Sequence, residues 1–186
     1  MTLFSEHSYS RVMVFIDYRN IYESVKNLGD DFRLDLYRLT QILVSTRDLV
    51  GAYVFDARKR VPEKNDKTLE MHDRLKDQGF RVIARESIVF RTEGKPEQKE
   101  VDVSMACEML EHALLDHYDV AIVVSGDRDF VPAIQRVQAA GKRVEVAALD
   151  NVYNDECKRA ADIYYVLDKM PIMSMSSPDD DLGVDY

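Results

Sequence analysis

The chain of 186 residues reads as an α/β protein whose mainly parallel sheet is covered by helices on both faces. Three observations predict this. Val12–Ile16 and Val120–Val124 are unbroken apolar runs, the mark of strands buried on both sides. Segments of strand length alternate with segments of helical period along the chain. Gly29, Gly79 and Gly141 each fall where a helix should stop. Such alternation implies right-handed crossovers and three layers.

The elements follow in order. After the Val12–Ile16 strand, Asn20–Asn27 reads as a short helix. Leu34, Leu36, Leu39, Ile42 and Leu43 recur at helical spacing, with Asp35 near the start. Leu49–Phe55 is a second strand. Glu63–Gln78 is a helix beginning after Pro62, with Thr68, Leu69, Met71 and Leu75 on its stripe. Phe80–Ala84 is a third strand, and 91–98 a polar loop containing Gly94 and Pro96. Lys99–Leu115 is a helix with Val101, Met105, Met109 and Ala113 at steps of four. Val120–Val124 is followed by a helix over Phe130–Ala140, with Pro132 in its first turn. Arg143–Ala148 is the fifth strand, Val152–Ala160 a short helix, and Ile163–Val166 a sixth, edge strand.

Residues 1–10 form an N-terminal extension, one domain spans 11–170, and 171–186 is an acidic tail expected to be disordered. Hydrophobic residues make up 46% and charged residues 32%, as in ordinary globular domains. No apolar run approaches the roughly 20 residues of a membrane span, and the first residues lack the layout of a secretory signal. Cys107 and Cys157 have no metal or redox spacing and read as buried free thiols, which suits a cytoplasmic location. The net charge of −9 argues against non-specific coating of nucleic acid. It does not exclude a nuclease, because Asp179, Asp180, Asp181 and Asp185 lie in the tail and a metal site carries uncompensated acids.

Acids punctuate the strand ends. Asp17 follows Ile16, Asp127 and Asp129 follow Val124 across Ser125–Gly126, and Asp102 lies in the first turn of the Lys99 helix. Each has a simple structural use. Asp17 or Asn20 caps the next helix, Asp129 caps the Phe130 helix, and Asp102 suits its helix dipole. Taken together they describe another use. In open α/β sheets the functional crevice lies beyond the carboxyl ends of the strands. The two most apolar strands should be central neighbours, which places Asp17 beside Asp127. Asp102 shares a helix face with Ala106 and Leu110, so its carboxylate should point inward. Gathered carboxylates resist ionising together, and a fold that collects them usually holds a divalent cation. With oxygen donors alone, Mg²⁺ or Mn²⁺ is favoured over zinc. The histidines His7, His72, His112 and His117 have no metal spacing and read as surface or interface residues. Ser125 lacks the GxSxG frame, and its hydroxyl is expected to support the Asp127 carboxylate or a bound water. No Gly-rich phosphate loop is present.

These residues resemble the NYN domain, the LabA-like branch of the PIN-like nucleases. The resemblance rests on Phe-Ile-Asp-Tyr-Arg-Asn with Asp17 and Asn20, Lys-Glu-Val-Asp with Lys99 and Asp102, and Ser-Gly-Asp-Arg-Asp-Phe over Ser125–Phe130. Gly-Lys-Arg-Val-Glu-Val-Ala and Ala160–Tyr164 add to it. It implies a Rossmann-like sheet in the order 3-2-1-4-5, with a sixth strand at the edge, and metal-dependent ribonuclease activity, read as endonucleolytic, on single-stranded or flexible RNA. Asp17, Asp102 and Asp127 match the metal-binding acids, supported by Asn20 and Asp129. Tyr18 departs from the family, which usually has a small residue there; it would stack on a base or narrow the entrance.

Contact with RNA needs positive charge near the acids. The candidates are Arg58, Lys59 and Arg60, read as a loop after the second strand, with Arg19, Lys95, Lys99 and Arg128. A competing reading is a catalytically weak adaptor of the same fold that binds RNA or protein. Toprim and haloacid-dehalogenase chemistry fit less well, since neither pattern matches the residues after the first strand. Tyr164–Tyr165 suits a homodimer contact or simple packing at the sheet edge.

Overall fold

The protein is described by a computed structural model covering residues 10–29, 32–59, 67–87, 99–152, 154–170 and 173–175. The N-terminal extension, Arg60, the Pro62–Asp66 entry to the third helix, the polar loop with Lys95 and most of the tail lie outside the described residues, as do the side chains of Arg58, Lys59 and Lys99. The strands are β1 (Arg11–Asp17), β2 (Phe32–Leu34), β3 (Asp48–Lys59), β4 (Arg81–Ser87), β5 (Val120–Val124), β6 (Arg143–Ala148), β7 (Ile163–Val166) and β8 (Met173–Met175). The helices are α1 (Tyr18–Lys26), α2 (Leu36–Val44), α3 (Lys67–Asp77), α4 (Lys99–Leu114), α5 (Val131–Ala139) and α6 (Asp155–Ala160).

Six strands form one sheet in the order β4-β3-β1-β5-β6-β7, and every neighbouring pair is parallel. Counted within this sheet, the order is the expected 3-2-1-4-5 with a sixth strand at the edge. The reason is visible in β1, whose residues Val12–Asp17 are all buried. Val12, Val14 and Ile16 pack with Leu39 and Leu43 of α2 and Ile21 of α1. Met13 and Phe15 pack on the other face with Met105 and Met109 of α4 and Ile134 of α5. A strand that is apolar on both faces is stable only when helices cover both.

Local signals set most boundaries. Asp17 caps α1 and Asp35 caps α2, accepting a bond from Arg38 N at 2.9 Å. Gly79 and Gly141, at φ of 94° and 81°, follow α3 and α5 in the left-handed region that favours glycine. Asn154 accepts bonds from the amides of Glu156 and Cys157, so α6 begins at Asp155 and the stretch Asp150–Val152 is a separate 3-10 turn.

Several elements differ from expectation. Leu34 belongs to β2, not to the following helix, and β2 pairs antiparallel with β8, which lies in the stretch read as tail. Arg58 and Lys59 are not in a loop: β3 runs on through them, paired with Glu86 and Ser87 of β4. Cys107 is exposed on the outer side of α4, while Cys157 is buried as expected. His72 is not at the surface; it is buried, its Nε2 2.8 Å from Oδ2 of the equally buried Asp56. Among the described residues no helix is long and apolar enough to cross a membrane.

One buried charge pair ties the first helical layer to the far half of the sheet. Glu145 of β6 is 2% exposed, and its oxygens lie 2.8 and 3.0 Å from the guanidinium of Arg47. Arg47 also donates to the carbonyls of Leu43 and Val44 at the end of α2, and the Tyr165 hydroxyl donates to Glu145 at 3.2 Å. Removing Arg47 would leave the buried Glu145, among the described residues, with only the Arg143 guanidinium, 3.4 Å away, to offset its charge in low dielectric. Arg47→Met is expected to destabilise the fold by about 3 kcal/mol in urea denaturation; a loss below about 1 kcal/mol would mean the pair is no more than a surface contact.

Candidate metal and nucleic-acid site

The central strands carry two loops to the same rim. Asp17 closes β1, opposite Phe55 of β3, and Ser125–Gly126–Asp127 continues β5, whose Val124 pairs with Ile16. Parallel pairing of β1 with β5 therefore makes the two acidic loops neighbours. Side chains then lace them together. The Ser125 hydroxyl donates to Asp17 Oδ2 at 3.1 Å, and the Asp127 amide donates to that same hydroxyl at 3.1 Å. Asn20 receives the Gly126 amide on Oδ1 at 3.0 Å, while its own amide donates to Asp17 Oδ1 at 3.2 Å. Asp127 Oδ1 accepts from the Asp129 amide at 2.9 Å, capping the turn Arg128–Phe130.

Gly126 is required for a steric reason. A Cβ there would stand 2.5 Å from the carbonyl oxygen of Val152. The neighbouring Cys157 lies under the loop, and burial pushes its thiol up to about 11, so it remains an S–H at neutral pH.

The acids feel one another. Burial lifts Asp17 to about 7; the Asn20 and Ser125 bonds oppose that rise, while the charges of Asp102 and Asp127 add to it. Asp102, half-buried in the first turn of α4, is raised to about 6 by burial and then by Asp127 and Asp129. Among the described residues no Lys, Arg or His forms an ion pair with Asp17, Asp102, Asp127 or Asp129. Arg19, two residues after Asp17, pairs with Glu23 along α1 at 2.9 Å.

Hydrogen bonds thus link Asp17, Asn20, Ser125 and Asp127 at one rim, with Asp129 bonded to Asp127, while Asp102 is tied to them only through the charges it exchanges with Asp17, Asp127 and Asp129. Ser125 supports the Asp17 carboxylate and the Asp127 amide rather than the Asp127 carboxylate, and the Asn20 carboxamide oxygen accepts from the Gly126 amide. Tyr18 packs against the core and stacks on Tyr22, with centroids 6.0 Å apart. Arg128 is exposed in the turn, and Lys99 opens α4. Sequence reasoning missed Val152, Asn151 and Cys157, which back the loop; no spacing marks them. Two surface hollows of about 300 and 380 Å³, lined by residues such as Ser45 and Tyr165 or Tyr37 and Leu49, contain none of the acids.

Among the described residues no group of three His, Cys, Asp or Glu side chains is placed to hold a metal ion. A structural zinc site, which needs four fixed ligands, is therefore disfavoured. The donors present are carboxylates alone, the chemistry preferred by Mg²⁺ or Mn²⁺, which bind through one or two carboxylates and keep several waters. Asp17, raised chiefly by burial and then by the charges of Asp102 and Asp127, is paired with no described cation.

Asp17 makes the metal-free protein sensitive to pH. Its folded value lies above the ordinary 3.8, so the folded state holds the proton more tightly than the unfolded state does. The penalty is absent below pH 3.8 and complete above about 7. At about 1.4 kcal/mol per unit this amounts to roughly 4 kcal/mol as an upper figure. In EDTA, stability should fall as pH rises from about 4 to 7, and Asp17→Asn should flatten that limb. Parallel melting-temperature profiles for the two proteins would contradict this.

The NYN domain family model matches residues 11–168, most of the chain. A crystallised protein of unknown function from Vibrio parahaemolyticus is similar in fold, with a TM-score of 0.72 and 22% identity over 90% of this chain and 98% of that one. No curated protein matches the chain. The parallel sheet, the laced acidic loops and the match over 11–168 agree, and the chain belongs to the NYN domain family.

Proposed function

We propose that this chain is a divalent-metal-dependent ribonuclease, acting as an endonuclease on single-stranded or flexible RNA in the cytoplasm. The reading is supported by the hydrogen-bonded loops that carry Asp17 and Asp127 at the carboxyl rim, with the charge of Asp102 acting on Asp17 and no described cation paired with any of the three. Membership in a nuclease-like family supports it.

Asp17, Asp102 and Asp127 would hold Mg²⁺ or Mn²⁺. The ion would supply Lewis acidity toward an attacking water and offset charge on the scissile phosphate. The rest falls to the protein. Ser125 fixes the Asp17 carboxylate and the Asp127 backbone with one hydroxyl. Asn20 keeps the two loops at constant separation, so the acids do not need to reorganise when charge arrives. Asp129, exposed in the turn after Asp127, would order the waters around the phosphate. Arg128, Lys99 and the Arg58–Arg60 stretch would take the neighbouring phosphates, and Tyr18 the first base.

Asp17→Asn and Asp127→Asn should each lower cleavage of an unstructured RNA by at least about 100-fold, with circular dichroism unchanged. EDTA should abolish cleavage and Mn²⁺ restore it. Cleavage by Asp127→Asn at the parent rate would remove the assignment. Binding should also respond to salt. Replacing Arg58, Lys59 and Arg60 by Gln should reduce the slope of log K against log salt by about 2, near 0.7 per lost contact. An unchanged slope would take these three residues off the RNA path.

A second reading is a catalytically weak adaptor that binds RNA or protein. The open donor set and the net charge of −9 favour it. The Mn²⁺ titration separates the two, because an adaptor should bind its partner equally well in EDTA.

A further inference from the structure

We propose that Cys157 is the positioning residue for Asp127, and that its thiol sets how tightly the acid cluster takes a divalent cation; this rests on the metal reading above. β5 ends at Val124, so the segment Ser125–Gly126–Asp127 leaves the sheet ladder. In front it is held by Asn20 and Ser125. Behind it stands Cys157, 1% exposed, whose thiol donates to the Asp127 carbonyl at 3.3 Å and lies 3.8 Å from the Gly126 carbonyl.

The backing does not stop at one atom. Gly126 lies so close to Val152 that an added Cβ would meet its carbonyl at 2.5 Å and its side chain at 2.8 Å. That turn is tied to α1 by Asn151, whose Nδ2 donates to the Ser24 carbonyl at 2.7 Å. Cys157 itself is fixed in the first turn of α6 by the Asn154 cap. The loop is thus clamped between α1 and α6.

The consequence falls on Asp127. Its amide goes to Ser125 and its carbonyl to Cys157, which fixes the backbone from both sides. One carboxylate oxygen receives the Asp129 amide, and the other is left to the cluster. Groups that orient a metal ligand from behind commonly change metal affinity by about 10- to 100-fold when removed. A thiol suits the place: it is small, apolar enough to be buried, and still a weak donor. Alanine would leave the Asp127 carbonyl without a partner, whereas serine would keep a donor on a shorter arm.

The test uses the full chain and Mn²⁺ alone, following free Mn²⁺ by its electron paramagnetic resonance signal, with amide exchange read at Asp129. Cys157→Ala should weaken Mn²⁺ binding about tenfold and speed exchange at Asp129. Cys157→Ser should recover most of both, with cooperative melting in each protein. Parent affinity in Cys157→Ala overturns the proposal. So does an equal loss in both variants that follows a fall in melting temperature. Loss of binding in Asp127→Asn with none in Cys157→Ala overturns the positioning role while leaving the metal reading intact. If the parent chain itself binds no Mn²⁺, the metal reading fails separately. The proposal is then overturned too, since no affinity remains for Cys157 to set, and Asp129 protection reports only whether the clamp is structural.

Discussion

A carboxylate hidden at the end of a strand buried on both faces is the constraint around which this rim is organised. Asp17 is 4% exposed, and an ionised group so placed is tolerated only with hydrogen bonds to both oxygens or a partner charge. The fold supplies the bonds, from the Asn20 amide and the Ser125 hydroxyl, and among the described residues it supplies no cation. Each of those bonds comes from a loop that must then stay put. Ser125 is anchored by its place after β5, and Asn20 by its bond to Gly126. The capping of α1 and the lacing of the loops are therefore one structure serving two ends.

How much of this was legible follows from range. That β1 and β5 are central neighbours was readable because Val12–Ile16 and Val120–Val124 lack any polar residue and only a central position buries both faces, whereas the full strand order came from the family resemblance. Once they are neighbours, Asp17 and Asp127 must be neighbours too. Asp102 was readable from helical period alone. The pair of Arg47 and Glu145 was not, since the partners lie 98 residues apart and each looks like an ordinary surface charge. His72 and Asp56 are hidden for the same reason. β2 and β8 are three residues each, too short for any period to register, and their pairing depends on contact between distant segments. Arg58 and Lys59 look like loop residues because charge usually means solvent, yet β3 continues beside β4. Cys107 and Cys157 show the limit most plainly. Both sit in helices beside small residues, and only the packing of α6 against the acidic loop separates a buried thiol from an exposed one.

The distribution of basic residues carries the electrostatic argument one step further. Arg11, at the start of β1, pairs with Asp116 and Asp119 at the amino end of the sheet, and Lys142 joins Asp116 there. Lys76 pairs with Asp73 along α3, and Arg47 is spent on Glu145. These four cations thus neutralise acids away from the carboxyl rim, and among the described residues none forms an ion pair with Asp17, Asp102, Asp127 or Asp129. A phosphate approaching that cluster bare would add to the repulsion: at about 4 Å two unit charges differ by several kcal/mol at an effective dielectric near 20. On the proposed reading this fixes an order of binding: an RNA phosphate would settle at the rim only after, or together with, a cation that reverses the local sign. The same reversal would favour the ionised forms of Asp17 and Asp102 and relieve the repulsion among the gathered acids.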